Sequence, residues 1–153
     1  MITLNSFELL VEELLCSRNI TIYNSRISEI AEKLNINLIF TYSKSTVIKN
    51  NQNNQVIILL NMDLEYKEQR LAFFHELTHI LLDHLSFCDS LNNFELNQLE
   101  RQANEFSLAL ALPRHELKTL FFSKSLMNNI YEISDLYEVS VDLVEKRLLQ
   151  IKK

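Results

Sequence analysis

The sequence predicts an α+β chain: a small antiparallel three-stranded sheet packed on a helical core, followed by a helical C-terminal region. Three observations predict it. Apolar residues recur at helical spacing over 5–18, 25–34 and most of 66–151. Between them, residues 37–61 turn to β-branched and aromatic runs broken by a polar asparagine stretch. The length, 153 residues with 47% hydrophobic and 23% charged, suits one domain with a buried core. We read residues 1–153 as that domain, with a helical subregion over about 125–153.

The elements follow in order. Residues 5–18 set Phe7, Leu10, Val11, Leu14 and Leu15 on one face, with glutamates between them. Residues 25–34 repeat the pattern with Ile27, Ile30, Ala31 and Leu34, and Asn24 or Ser25 can cap the start. Residues 37–42, 46–49 and 55–60 read as strands, the last hairpin turning at the asparagines of 50–54. A helix over 66–84 is apolar most of the way round, so it should be much buried. After a loop over 85–93, a second long helix runs from 94 to 111 and stops before Pro113. Short helices follow at 114–122, 127–137 and 140–151, the last capped by Ser140.

Composition excludes several functions. There is no glycine, so neither a P-loop nor a dinucleotide fingerprint can exist, and positive-φ turns must fall to Asn or Asp. A net charge of −5 offers no basic footprint, so no direct nucleic-acid contact is expected. Cys16 and Cys88 lack CxxC spacing and read as reduced thiols. The acidic first fifteen residues do not read as a signal peptide, and no apolar run suits a membrane helix. A cytoplasmic address is the expectation.

One motif carries chemistry. His75-Glu76-Leu77-Thr78-His79 is an HExxH sequence on a predicted helix. Residues four apart on a helix differ by about 40° in azimuth and one turn in height, so both imidazoles can reach one cation, with zinc the usual occupant. Glu76 stands about 100° round, beside the metal's open face, where it can take a proton from water. A catalytic site needs a third ligand. His84 lies about 140° round from His79 and so points elsewhere. Asp83 is a turn too far along, and His115 has no partner pattern. Glu100 lies on the next long helix, with 20 residues between it and His79, enough for a loop and a return. Glu105 is its rival, but stands roughly 140° away, so only one can face the metal. The helix-face argument favours Glu100. Asn104, one turn further on, suits an amide that orients a ligand imidazole. Cys88 is not expected to be a ligand.

The segments HELTHILLDH, ERQANEF and SLALALP together resemble the ImmA/IrrE family of metallopeptidases. The strand before the motif and Arg70 upstream also fit, so the resemblance spans roughly residues 25–150. Thr78, Ser107 and Leu112 depart from the usual pattern without touching a candidate ligand. The resemblance implies a gluzincin-like zinc site of His75, His79 and Glu100, with Glu76 as general base. It also implies an endopeptidase acting on a protein substrate, a helix-turn-helix repressor, as an anti-repressor of a phage or mobile element. The alternative is a non-proteolytic zinc-containing regulator that acts by binding a partner transcription factor. Strand 56–60 could offer an edge to an extended substrate. His115, Tyr42, Tyr66 and Tyr131 are all candidates for stabilising the oxyanion. The helices over 128–150 superficially look like a helix-turn-helix, but Asp135, Glu138, Asp142 and Glu145 crowd Lys146 and Arg147. They read better as a cap that finishes the core or docks a partner.

Overall fold

The computed structural model describes residues 2–50, 52–86, 90–122 and 125–152. Helices α1 (Leu4–Ser17) and α2 (Ile27–Lys33) lead into strands β1 (Ile36–Thr41), β2 (Thr46–Lys49) and β3 (Val56–Asn61). Helix α3 (Tyr66–Leu81) carries the HExxH sequence and ends in a short 3-10 turn, His84–Ser86. Then come α4 (Asn93–Ala111), α5 (Arg114–Leu120), α6 (Ile130–Tyr137) and α7 (Val141–Lys152). Local chemistry sets several of these starts. Asn92 accepts from the Glu95 N–H while the Glu95 carboxylate accepts from the Asn92 N–H, a reciprocal cap on α4. Ser140 accepts from the Leu143 N–H at the start of α7, as its spacing predicts. At α2 neither predicted cap is used. Arg26 stands at the cap position, its N–H donating to the Glu29 carboxylate, while the Ser25 carbonyl accepts from Arg70.

The sheet is mixed rather than antiparallel throughout. Its order is β1-β3-β2. β2 and β3 form the expected hairpin, with Thr46 opposite Leu59 and Lys49 opposite Val56. β1, however, runs parallel to β3, from Ile36 opposite Val56 to Thr41 opposite Asn61. The reason is burial. Val-Ile-Ile-Leu-Leu of β3 is the most continuously apolar strand, and the central position buries Ile58 and Leu60 completely. β1 and β2 leave Ile39, Phe40 and Ile48 exposed and take the edges.

Tight turns follow the prediction from the missing glycine. Among the described residues, positive φ falls on Asn19, Asn35, Asn54 and Asp83, with Glu138 the exception. Glu138 closes α6, where the following Val139 N–H reaches back to the Ser134 carbonyl.

One core runs from Phe7, Val11 and Leu15 of α1 through β3 and α3 to Val144 and Leu148 of α7. The C-terminal helices therefore finish this core rather than stand apart from it. α3 packs along α4, where fully buried Ala103 permits close approach. The start of α3 is fixed by a polar knot. Arg70 is 1% exposed and donates to the carbonyls of Ile22 (2.6 Å) and Ser25 (2.8 Å). The Glu116 carboxylate accepts from the N–H groups of Ile22 (2.8 Å) and Tyr23 (3.2 Å) and from the Tyr137 hydroxyl (3.0 Å). The metal-motif helix is thereby tied to α5, α6 and the segment before α2. Among the described residues no helix is long and apolar enough to cross a membrane.

Candidate metal centre

His75 and His79 project from α3 into one cleft, and Glu100 reaches it from α4. The ligating atoms of all three lie within 4.8 Å of one another. His75 Nε2 is 3.0 Å from Glu100 Oε2, His79 Nε2 is 2.9 Å from Glu100 Oε1, and the two Nε2 atoms are 3.2 Å apart. A tetrahedral zinc with bonds of about 2.0–2.1 Å holds its donors roughly 3.3 Å apart, so this spacing suits such an ion. The donor chemistry agrees. A proton satisfies two atoms at a time, whereas a cation satisfies two imidazoles and a carboxylate at once. Glu105, the rival, is not part of this cluster. Helical periodicity accounts for the convergence: His75 and His79 are one turn apart on α3, and Leu77 between them is buried on the core side.

Glu76 lines the same cleft and is 8% exposed. Burial, then the neighbouring charge of Glu100, pushes its carboxyl up to about 7, with Lys44 pulling the other way. Burial holds both His79 and His84 below the usual imidazole range, which favours the neutral, metal-binding form at neutral pH. Thr78 is fully buried, and its hydroxyl donates back to the Phe74 carbonyl at 2.7 Å, so this polar side chain is satisfied within the helix.

Four expectations need correction. His84 does not point away: its Nδ1 lies 2.8 Å from His79 Nδ1, and its Nε2 lies 2.9 Å from Gln102 Oε1. The helical-wheel argument assumes that α3 continues to residue 84. It stops at Leu81, and Asp83 at φ 58° reverses the chain and returns His84 beneath His79. Asn104, in contrast, is exposed, and the contact on the His79 ring comes from His84 instead. The oxyanion candidates fare no better. Tyr42 and Tyr131 are largely exposed, Tyr66 carries a buried hydroxyl with no hydrogen-bond partner among the described residues, and His115 lines a separate hollow beside Cys16. None of the four lines the cleft. Lastly, β3 offers no free edge, because both of its sides are paired. β2 borders the cleft through Thr46 and Val47, and β3 reaches it only with its last residue, Asn61. Cys88 lies outside the described residues.

The cleft holds about 980 Å³. Its walls are Ser43, Lys44 and Ser45 of the β1–β2 connection on one side and Glu68, Leu71 and Ala72 of α3 on another. Lys44 carries no motif, and only its place in the fold brings it to the site.

Residues 31–149 match the peptidase family model Peptidase_M78, described as an IrrE N-terminal-like domain. No curated protein matches. Among solved structures, a Mycobacterium tuberculosis transcriptional regulator shares the fold at a TM-score of 0.64 and 13% identity. That likeness covers 94% of this chain and 46% of the regulator, so this chain spans about half of that protein's length.

Proposed function

This chain belongs to the IrrE N-terminal-like family of metallopeptidases, and we propose that it is a zinc-dependent endopeptidase that cleaves a helix-turn-helix repressor in the cytoplasm. The observation that carries the reading is the convergence of His75, His79 and Glu100 at one cleft, with Glu76 buried beside them. His75, His79 and Glu100 would hold the metal, which gives the gluzincin pattern of two histidines and a glutamate. Zinc bound there supplies a Lewis acid that polarises a carbonyl and lowers the pKa of water.

The chain's own residues do the rest. Glu76, buried beside the three donors, accepts the proton of the attacking water and returns it to the leaving amine. The free side of β2 borders the cleft and offers backbone groups to an extended substrate, which adds as a further strand. Lys44, a cation on the cleft wall, adds positive charge near the reacting groups. Support for the repressor as substrate, and for an anti-repressor role in a phage or mobile element, comes from the family resemblance of the ERQANEF and SLALALP segments.

The test uses purified chain with measured zinc content and a candidate helix-turn-helix repressor. Fragments identified by mass spectrometry establish cleavage. Glu76→Gln is expected to keep zinc and lose cleavage, and a variant that still cuts would refute the mechanism. Zinc with tight binding of the repressor but no fragments would establish the non-proteolytic regulator instead.

A further inference from the structure

We propose that His84 and Gln102 form a relay that fixes His79 in the tautomer with an unprotonated Nε2, which makes His84 a positioning residue of the metal centre. The inference rests on the reading of His75, His79 and Glu100 as metal ligands.

The argument starts on α4. Gln102 Oε1 can only accept a hydrogen bond, and it lies 2.9 Å from His84 Nε2, so that nitrogen carries the proton. A neutral imidazole has a single N–H, which leaves His84 Nδ1 as an acceptor. His79 Nδ1, 2.8 Å away, therefore donates to it. The proton of His79 is thus held on Nδ1, and its Nε2 keeps a free lone pair. This is the nitrogen that faces Glu100 Oε1 at 2.9 Å and His75 Nε2 at 3.2 Å. The polarity is set from α4 outward, with no reference to a metal, and it ends on a nitrogen ready to bind one. The reverse polarity would place a proton where the ion must sit. Ligand histidines in metalloproteins commonly donate their second nitrogen to a carboxylate, carbonyl or water. Here an imidazole takes that place and passes the bond on to a helix amide.

The fold supports the relay. Asp83 at φ 58° turns the chain so that His84 comes back under α3, and His84 is 3% exposed, away from competing water. α4 then grips the centre twice, through Glu100 directly and through Gln102 by way of two imidazoles. Because His75 Nε2 and His79 Nε2 already sit 3.2 Å apart, a rotated His79 ring would separate the pair.

Two measurements test this. Long-range proton–nitrogen NMR correlations on the zinc-loaded parent chain are expected to show His84 protonated on Nε2 and His79 protonated on Nδ1. A His84 ring protonated on Nδ1 overturns the relay, and this needs no variant to fold. Zinc affinity, measured by competition with a chromophoric chelator, is expected to fall about 10–100-fold in His84→Ala. His84→Asn should restore most of it, since its Oδ1 can take the place of Nδ1 as acceptor. Gln102→Leu should weaken binding less than His84→Ala, and the double variant should be no weaker than His84→Ala alone. A His84→Ala chain within about twofold of the parent refutes the relay, set against the loss the second-shell rule leads one to expect. If Glu100→Ala loses zinc and His84→Ala does not, only the relay fails. If the parent binds no zinc, the metal-site reading fails with it.

Discussion

Glu76→Gln in the zinc-free chain should be more stable than the parent, and increasingly so as pH rises. The parent buries a carboxyl pushed up to about 7 from 4.5, mainly by burial and next by the charge of Glu100. The sign follows from proton binding. A carboxyl with a raised folded pKa binds its proton more tightly in the folded chain than in the unfolded one. Between about pH 4.5 and 7 the folded chain therefore holds more protons, and stability is lost as pH climbs through that window. The full difference of about 2.5 pKa units corresponds to roughly 3 kcal/mol at alkaline pH. Between about pH 5 and pH 8 the cost of the ionised carboxyl grows by roughly 2–3 kcal/mol. Gln has nearly the same shape and no charge, so the variant escapes this cost. Urea unfolding with chelator present, at several pH values, measures the difference. A gap that stays constant with pH, or one that widens towards acid, would refute the reasoning. In the zinc-loaded chain the gap should shrink, because a nearby cation favours the carboxylate.

Other predictions follow from the polar groups around the site. Tyr137→Phe removes one hydroxyl bond to the buried Glu116 carboxylate and should cost about 2 kcal/mol by urea unfolding. Glu116→Leu also orphans the Ile22 and Tyr23 N–H groups and should cost about 4 kcal/mol, with the double variant no worse. A Tyr137→Phe chain as stable as the parent would remove the knot from the account. Lys44→Ala should move the acidic limb of the cleavage pH profile upward, because the Lys44 charge lowers the Glu76 pKa. A downward shift would contradict that sign. Arg147 is fully buried and donates to the Leu112 carbonyl, Gln150 and Glu8, so Arg147→Met should cost about 3–5 kcal/mol through the unpaired Glu8 carboxylate. Zinc at about a thousand times its dissociation constant should add about 4 kcal/mol, or roughly 8–16 °C of Tm for a chain of this size. An unchanged Tm on chelation would mean that the centre is not occupied.

The helices and the shared face of the HExxH histidines were legible because both are written in short-range spacing. His75 and His79 share a face by period alone, and the Ser140 cap lies within one turn of the group it satisfies. Sheet order was not legible. Alternation tells which face a residue takes, not which strand lies beside it, so the parallel partnership of Ile36 with Val56 leaves no mark in either segment. The same limit hid β2 as the strand at the cleft and Lys44 as its cation, since both reach the site through that order. His84 was lost for a different reason. A single residue in the left-handed region ends the helix two positions before it, and any argument from helical azimuth fails beyond that point. Asp83 was a readable signal: in a chain without glycine, Asn and Asp carry the reversals, and an Asp directly after an apolar helical run marks one.

The donors of the centre differ in how firmly they are held. The His75 and His79 side chains are 19% and 11% exposed and sit on a helix anchored by Arg70 and the core, whereas the Glu100 side chain is 57% exposed. The imidazole pair is therefore preorganised, and the glutamate is the donor with freedom to adjust. That division suits a site that must admit a substrate, because a long, solvated carboxylate can shift as an ion or a carbonyl enters without disturbing the core. It also explains why α4 needs a second hold on the centre. If Glu100 alone joined α4 to the metal, small displacements of that helix would be absorbed by a flexible side chain and the imidazoles would not register them. The path from Gln102 through His84 to His79 couples α4 to the buried ligand, so helix position and ring orientation change together. The metal centre is then a property of how α3 and α4 pack, with Ala103 at the contact, rather than of the HExxH sequence alone.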